Sequence, residues 1–249
     1  MKKAKLSAIS ALHFTKLAVR ALFFIGALLL YIYCRLNGIA DTFGGVENLP
    51  WLIGVIWIVY AAEMALRFFP SRFESMGCQK QFKRNFIPTN EHAPRLQSAR
   101  RTLLVAAVWL AFNAVFGVLY LTGVFDVGIM ILISLAYGVC DMVCILFFCP
   151  FQTWFMKNRC CGDCRIYNWD FAMMFTPYIF IPNLYTWSLL ILSLVLLFRW
   201  ELTVCLHPER FSEATNASIS CASCKEKLCK HKRQLRHLWR NRKIFPPKK

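Results

Sequence analysis

Two Cys-x-x-Cys pairs carry the most specific chemistry in this sequence: Cys161-Gly-Asp-Cys164 and Cys221-Ala-Ser-Cys224. That spacing lets a tight turn aim two thiolates at one ion, which is why structural zinc and iron–sulfur sites use it. Gly162, Asp163, Ala222 and Ser223 are the small or turn-forming residues such a knuckle tolerates. Cys160 precedes the first pair, and Cys229 and His231 follow the second in "CASCKEKLCKHK", as spare or substitute ligands. Lys157, Arg159 and Arg165 surround the first group and favour the thiolate form. The two pairs could supply the four ligands of one site, provided both lie on the same membrane face. The competing readings are a catalytic or sensing dithiol, reduced thiols without metal, and disulfides if the tail lies outside the cell.

The elements that would position these thiols are membrane helices. Of the 249 residues 57% are hydrophobic and only 17% charged, against about 25% in a soluble domain. Mean hydropathy is +0.44. A span needs about 20 apolar residues, and the stretches 18–36, 51–69, 103–121 and 127–149 meet that test. A fifth apolar stretch, 171–198, contains Pro177 and Pro182. The basic start resembles the head of a signal peptide, but no convincing small-residue cleavage site follows, so the first stretch reads as a retained helix. Trp51, Trp154, Trp187 and Trp200 lie near span ends, where indole favours the headgroup layer. The expected fold is an all-α polytopic membrane protein, with a helical domain over 1–200 and a basic, Cys-containing tail over 201–249.

Charge then sets the topology and exposes a conflict. Five Lys/Arg lie in the first 20 residues and eight in 67–102, whereas 37–50 and 122–126 carry only acidic charge. The positive-inside rule places the N-terminus and 67–102 in the cytoplasm, and the cysteine loop 150–170 with them. If 171–198 crossed once, the tail, with twelve Lys/Arg, would be exported. A re-entrant pair turning at Pro182–Asn183 returns the tail to the cytoplasm; a Pro-kinked full span does not. Charge favours the first, in what is expected to be a prokaryotic cell membrane.

Cys149-Pro150 resembles the Cys-Pro ending of ferredoxin motifs, although the close Cys-x-x-Cys-x-x-Cys run is missing and proline after a helix-end residue also simply stops the helix. Iron–sulfur stands slightly ahead of zinc because a membrane anchor suits electron transfer with a quinone or protein partner. Cys140 and Cys144 read as small hydrophobes within a span, and Met173 and Met174 as packing rather than copper ligands. Asp141 has no partner on its own helix, which makes it the candidate proton-handling or substrate-facing carboxylate. Glu63 is expected to pair with Arg67 four residues later, and Asn113 to donate a hydrogen bond between helices.

The last 25 residues hold eleven Lys/Arg, with Leu228, Leu235, Leu238 and Trp239 in a loose helical stripe. Anionic lipid headgroups are the nearest partner for such a tail; nucleic acid has the same electrostatic footprint but is further from hand. No GxSxG, phosphate-binding loop, dinucleotide-binding glycine run or HExxH motif occurs. The sequence therefore points first to a membrane protein with a cysteine-ligated metal site in electron transfer. The alternative is a non-enzymatic module with structural zinc and a lipid- or partner-binding tail. A transporter using Asp141 is a third reading.

Overall fold

A computed structural model describes residues 8–38, 50–70, 76–158 and 161–220. It is helical: α1 (Ala8–Leu36), α2 (Pro50–Leu66), α3 (Met76–Gln81), α4 (Ala99–Leu121), α5 (Val127–Leu146), α6 (Asp170–Phe175) and α7 (Leu184–Leu206). Among the described residues there is no strand, only an isolated antiparallel bridge between Pro88 and Asn216. Among the described residues four helices are long and apolar enough to cross a membrane: Ser10–Leu36, Ala99–Leu121, Val127–Leu146 and Leu184–Leu206. The apolar helix Ile53–Leu66 within α2 is shorter.

Local chemistry sets the helix ends. Asp126 caps α5 by accepting a 2.8 Å hydrogen bond from the Ile129 N–H, and Asn183 caps α7 by accepting from Tyr185 N–H at 3.0 Å. Helix α4 stops where Gly123 turns left-handed at φ +76°, a conformation glycine adopts without a Cβ penalty. Helices α1 and α5 run antiparallel. Arg20 meets Gly138 and Asp141 near one end, while Tyr31 and Arg35 reach Asp126 at the other. The 122–126 turn therefore marks one end of the bundle, called here the turn end. The opposite end is the loop end.

The apolar stretch 171–198 is neither a single kinked span nor a pair of similar short arms. Helix α6 starts at the loop end, where Asp170 meets Arg67, and continues as a 3-10 turn over Thr176–Phe180. This arm is about 19 Å long. Thr176 accepts a hydrogen bond from Trp109 Nε1 at 3.1 Å, and Phe180 packs against Gly117 near the turn end. A Cβ on Gly117 would lie 2.2 Å from the Phe180 ring, so glycine makes that approach feasible. The chain reverses over 181–183 and α7 returns as a full-length helix of about 35 Å. Irregular backbone at membrane depth requires burial in protein; Phe171, Met174, Phe175 and Tyr178 are all buried. Because α7 runs on to Leu206, the expected boundary at 201 falls inside a helix.

The turn at Pro182–Asn183 thus occurs as the first topology expected, with a second arm long enough to span. Its consequence is that α7 ends at the loop end, where Arg165 and Trp169 both bond Glu201. Residues 207–220 then pack on 76–98: Ala217 N–H donates to Ile87 O at 2.8 Å and Arg95 N–H to Ser212 Oγ at 2.9 Å. Trp200 is 3% exposed, against Phe82 and Phe211, so it belongs to the core rather than to the headgroup layer. Trp154 and Trp187 are exposed near helix ends, as expected, and the Trp51 side chain lies outside the described residues.

This arrangement has a direct test. Epitope tags inserted after Glu91 and after Glu213 are expected to react from one side of the membrane, and a tag in the 122–126 turn from the other. Reaction of the first two from opposite sides would rule the described fold out.

Candidate functional site

Charge is the first thing buried at the loop end. The Arg20 side chain is 2% exposed and donates to Glu63 Oε2 at 2.6 Å, Asp141 Oδ2 at 2.8 Å and the Gly138 carbonyl at 3.1 Å. Lys16 lies 3.8 Å from Glu63. Arg67 grips Asp170 through two contacts, 2.7 and 2.5 Å. The Phe171 ring is close to both guanidiniums, 5.7 Å from that of Arg20 and 4.6 Å from that of Arg67. Lys16, Arg20 and Arg67 offset Glu63, Asp141 and Asp170 one for one, and the network joins α1, α2, α5 and α6.

These contacts supply the partner missing from the helix of Asp141, which is Arg20 on α1, and revise two other sequence expectations. Glu63 pairs with Arg20 and Lys16, whereas Arg67 turns to Asp170. Asn113 donates within α4, to Trp109 O at 2.9 Å, and between helices it accepts, from the Tyr137 hydroxyl at 3.3 Å.

Beside this network lies a cavity of about 250 Å³. One stripe of α5, at helical spacing, supplies Tyr137, Cys140, Asp141, Cys144 and Ile145. Cys149 and Gln152 follow the end of α5, Cys164 comes from the cysteine loop, and Asp170, Met173 and Met174 come from α6. Trp109 closes the side towards α4, its ring 4.5 Å from that of Tyr137. Cys140, Cys144, Cys149 and Cys164 are thiols, not disulfides. Cys149 Sγ accepts a hydrogen bond from the Gln152 N–H at 3.4 Å. Met173 packs with Cys164 in an apolar cluster around Val105, Met156 and Ile166.

Cys164 and Asp141, two of the residues expected to carry function, therefore line one cavity. The Cys161 backbone lies in a 3-10 turn over Cys161–Asp163, and its side chain is outside the described residues. Cys160, Cys221, Cys224, Cys229 and His231 also fall outside them. What is described is the turn that carries the first pair and the chain leading to the second. Gln81 Nε2 donates to Gly162 O at 3.1 Å, while the adjacent Lys80 carbonyl accepts from Asn216 Nδ2 at 3.1 Å. Gln97 braces the same turn, donating to Asp163 O at 2.7 Å and accepting from the Arg165 N–H at 3.2 Å. Two neighbouring residues of α3 thus hold the first Cys-x-x-Cys turn and the chain five residues before the second. Cys78, in the same short helix, is fully buried.

Sequence reasoning set aside Cys140, Cys144, Met173 and Met174, all of which line this cavity. The four-residue spacing of Cys140 and Cys144 was a usable signal, since it aligns both thiols on one helix face. Nothing local showed that α6 and the cysteine loop would face that stripe. Among the described residues, no three His, Cys, Asp or Glu side chains are grouped closely enough to hold one ion. Comparison with known protein families, curated proteins and solved structures gives no match, so the functional reading rests on the site.

Removing one partner of a buried ion pair costs about 3–5 kcal/mol, because the remaining charge is left without compensation. Arg20→Met is accordingly expected to lower unfolding stability in detergent by that order. Adding Glu63→Gln and Asp141→Asn should recover a large part of the loss. A triple variant no more stable than Arg20→Met would contradict the charge-compensation account.

Proposed function

We propose that this integral membrane protein holds a cysteine-ligated metal centre at the loop end of its bundle and uses it in electron transfer. Cys161, Cys164, Cys221 and Cys224 are the first ligands, with Cys160, Cys229 and His231 as further donors. An iron–sulfur cluster is favoured over zinc. The observation that carries this reading is the double hold of α3: Gln81 on Gly162 and Lys80 on Asn216. The first pair and the approach to the second are fixed to adjacent residues, as a shared site requires.

Charge supports placing the loop end in the cytoplasm, since the basic residues of 67–102, the cysteine loop and the tail then share one side. The basic tail beyond the site would rest on anionic headgroups. The centre would pass electrons from a soluble donor to a lipid-phase or protein acceptor. A zinc clamp joining loop to tail is the second reading. It explains less, because residues 207–220 are already fastened to 76–98 by the Pro88–Asn216 bridge and its flanking hydrogen bonds.

Iron and zinc per chain, measured on protein purified anaerobically in detergent, test the proposal. Near-stoichiometric iron with visible absorbance that a reductant bleaches is expected, lost in both Cys161→Ser/Cys164→Ser and Cys221→Ser/Cys224→Ser. Colourless, stoichiometric zinc lost in the same variants would select the clamp. Folded protein whose metal content ignores both variants would overturn the shared site.

A further inference from the structure

A second cavity, of about 410 Å³, lies on the turn side of the buried ion network. It is bounded by α1, α2, α5, the reversal at 181–183 and the start of α7. At its deep end Phe23, Trp57 and Leu135 stand three positions from Arg20, Tyr60 and Gly138, so the network begins within one helical turn of its floor. Along α5 it runs from Val127 to Leu135, about 12 Å, close to half of a bilayer core of roughly 30 Å. Among the described residues its wall holds no charged side chain, no histidine and no cysteine. Three of its polar side chains are spent within the protein. Trp57 Nε1 donates to Ser188 Oγ at 2.8 Å, Thr186 Oγ donates to Ile181 O at 2.6 Å, and Asn183 Oδ1 accepts from the Tyr185 N–H at 3.0 Å. Water would find few partners there.

We infer that this cavity takes one acyl chain of a bilayer phospholipid, entering past Gly26 from the turn-end leaflet. Leu22 and Gly26 of α1 line it and are exposed, which places its opening at membrane depth, towards lipid and not towards water. A Cβ on Gly26 would meet no atom within 4 Å, so the protein leaves that entrance unfilled. The chemistry of the wall selects the occupant. Sites for specific small molecules carry a few converging polar groups that orient the ligand. Here the tyrosine hydroxyls are what remains beyond the spent side chains, and no charge awaits a headgroup. The part recognised is therefore hydrocarbon, which the bilayer supplies, and the depth is that of one leaflet. The headgroup stays outside at the turn end, beside the exposed Trp187 near the start of α7. A chain in place packs α1 against α2 above their Lys16, Arg20 and Glu63 contacts and keeps water off the ion network from that side. The inference is independent of the proposed metal centre at the loop end.

The test places full-length protein in phosphatidylcholine vesicles that contain a phosphatidylcholine with a diazirine at the end of one acyl chain. After illumination, adducts are expected on Leu135 and Leu189, which are 2% and 4% exposed and beyond the reach of lipid at the outer surface. That result is read on wild type, without any substitution. Gly26→Phe, which sets a ring in the open entrance, is expected to abolish those adducts. Adducts on the exposed Ile191 of α7 should persist and report that the variant is inserted. Adducts confined to exposed positions in wild type would overturn the inference, as would buried adducts that survive in Gly26→Phe. Loss of the Leu135 adducts to an added isoprenoid quinone, but not to the same amount of unlabelled phosphatidylcholine, would assign the cavity to a quinone tail and overturn the acyl chain. Metal content enters none of these readouts, so the cavity and the metal centre can each fail alone.

Discussion

A guanidinium at membrane depth cannot be left to hydrocarbon, and the packing of this bundle follows from that constraint. Arg20 is almost wholly enclosed and takes one carboxylate from α2, one from α5 and a backbone carbonyl of α5. Each of those groups is costly to bury alone and tolerable only as part of the set. Three helices must therefore meet at one depth and in one rotation. Arg67 and Asp170 extend the same logic to α6, and the Phe171 ring packs near both guanidiniums. Apolar helices in lipid have little hydrophobic reason to associate, so polar contacts of this kind supply much of their specificity.

The descending arm depends on that cluster. A 3-10 turn that contains Pro177 and is followed by Pro182 needs protein around its backbone, and here it packs among α4, α5 and α7 with Thr176, Pro177 and Tyr178 buried. Ser134 Oγ donates to the Met174 carbonyl at 2.9 Å and Thr176 Oγ to the Ala172 carbonyl at 2.8 Å, so side chains satisfy part of the backbone that regular helix would otherwise serve. Once Asp170 is anchored at the loop end, the reversal at 181–183 allows α7 to come back. The tail then starts beside the cysteine loop instead of across the membrane from it. The same ion pairs also shape the cavity, since Asp141 and Asp170 line it while bonded to Arg20 and Arg67.

The membrane class, the long apolar helices, the break at Pro182–Asn183 and the Cys-x-x-Cys spacings were all legible in the chain, because each is a property of one continuous segment. Hydropathy sums over neighbours, a proline acts on its own backbone, and a thiol pair two residues apart shares a turn whatever surrounds it. The expected Glu63–Arg67 pair failed for the opposite reason. Spacing of four permits that contact, but it cannot reveal that Arg20 and Lys16 offer Glu63 a better one from another helix. Trp200 was misplaced in the same way, since an indole near a span end looks alike whether it meets headgroups or Phe82.

By itself the sequence determined what must leave water and which side chains could bind a metal. Only the tertiary structure decided which of those side chains share a cavity. Helix rotation brings the 137–145 stripe of α5 to face Met173 and Cys164, and α3 brings the cysteine turn beside Asn216. Those pairings depend on burying opposite charges together at one depth, an energy that belongs to no single segment and so leaves no local pattern to read.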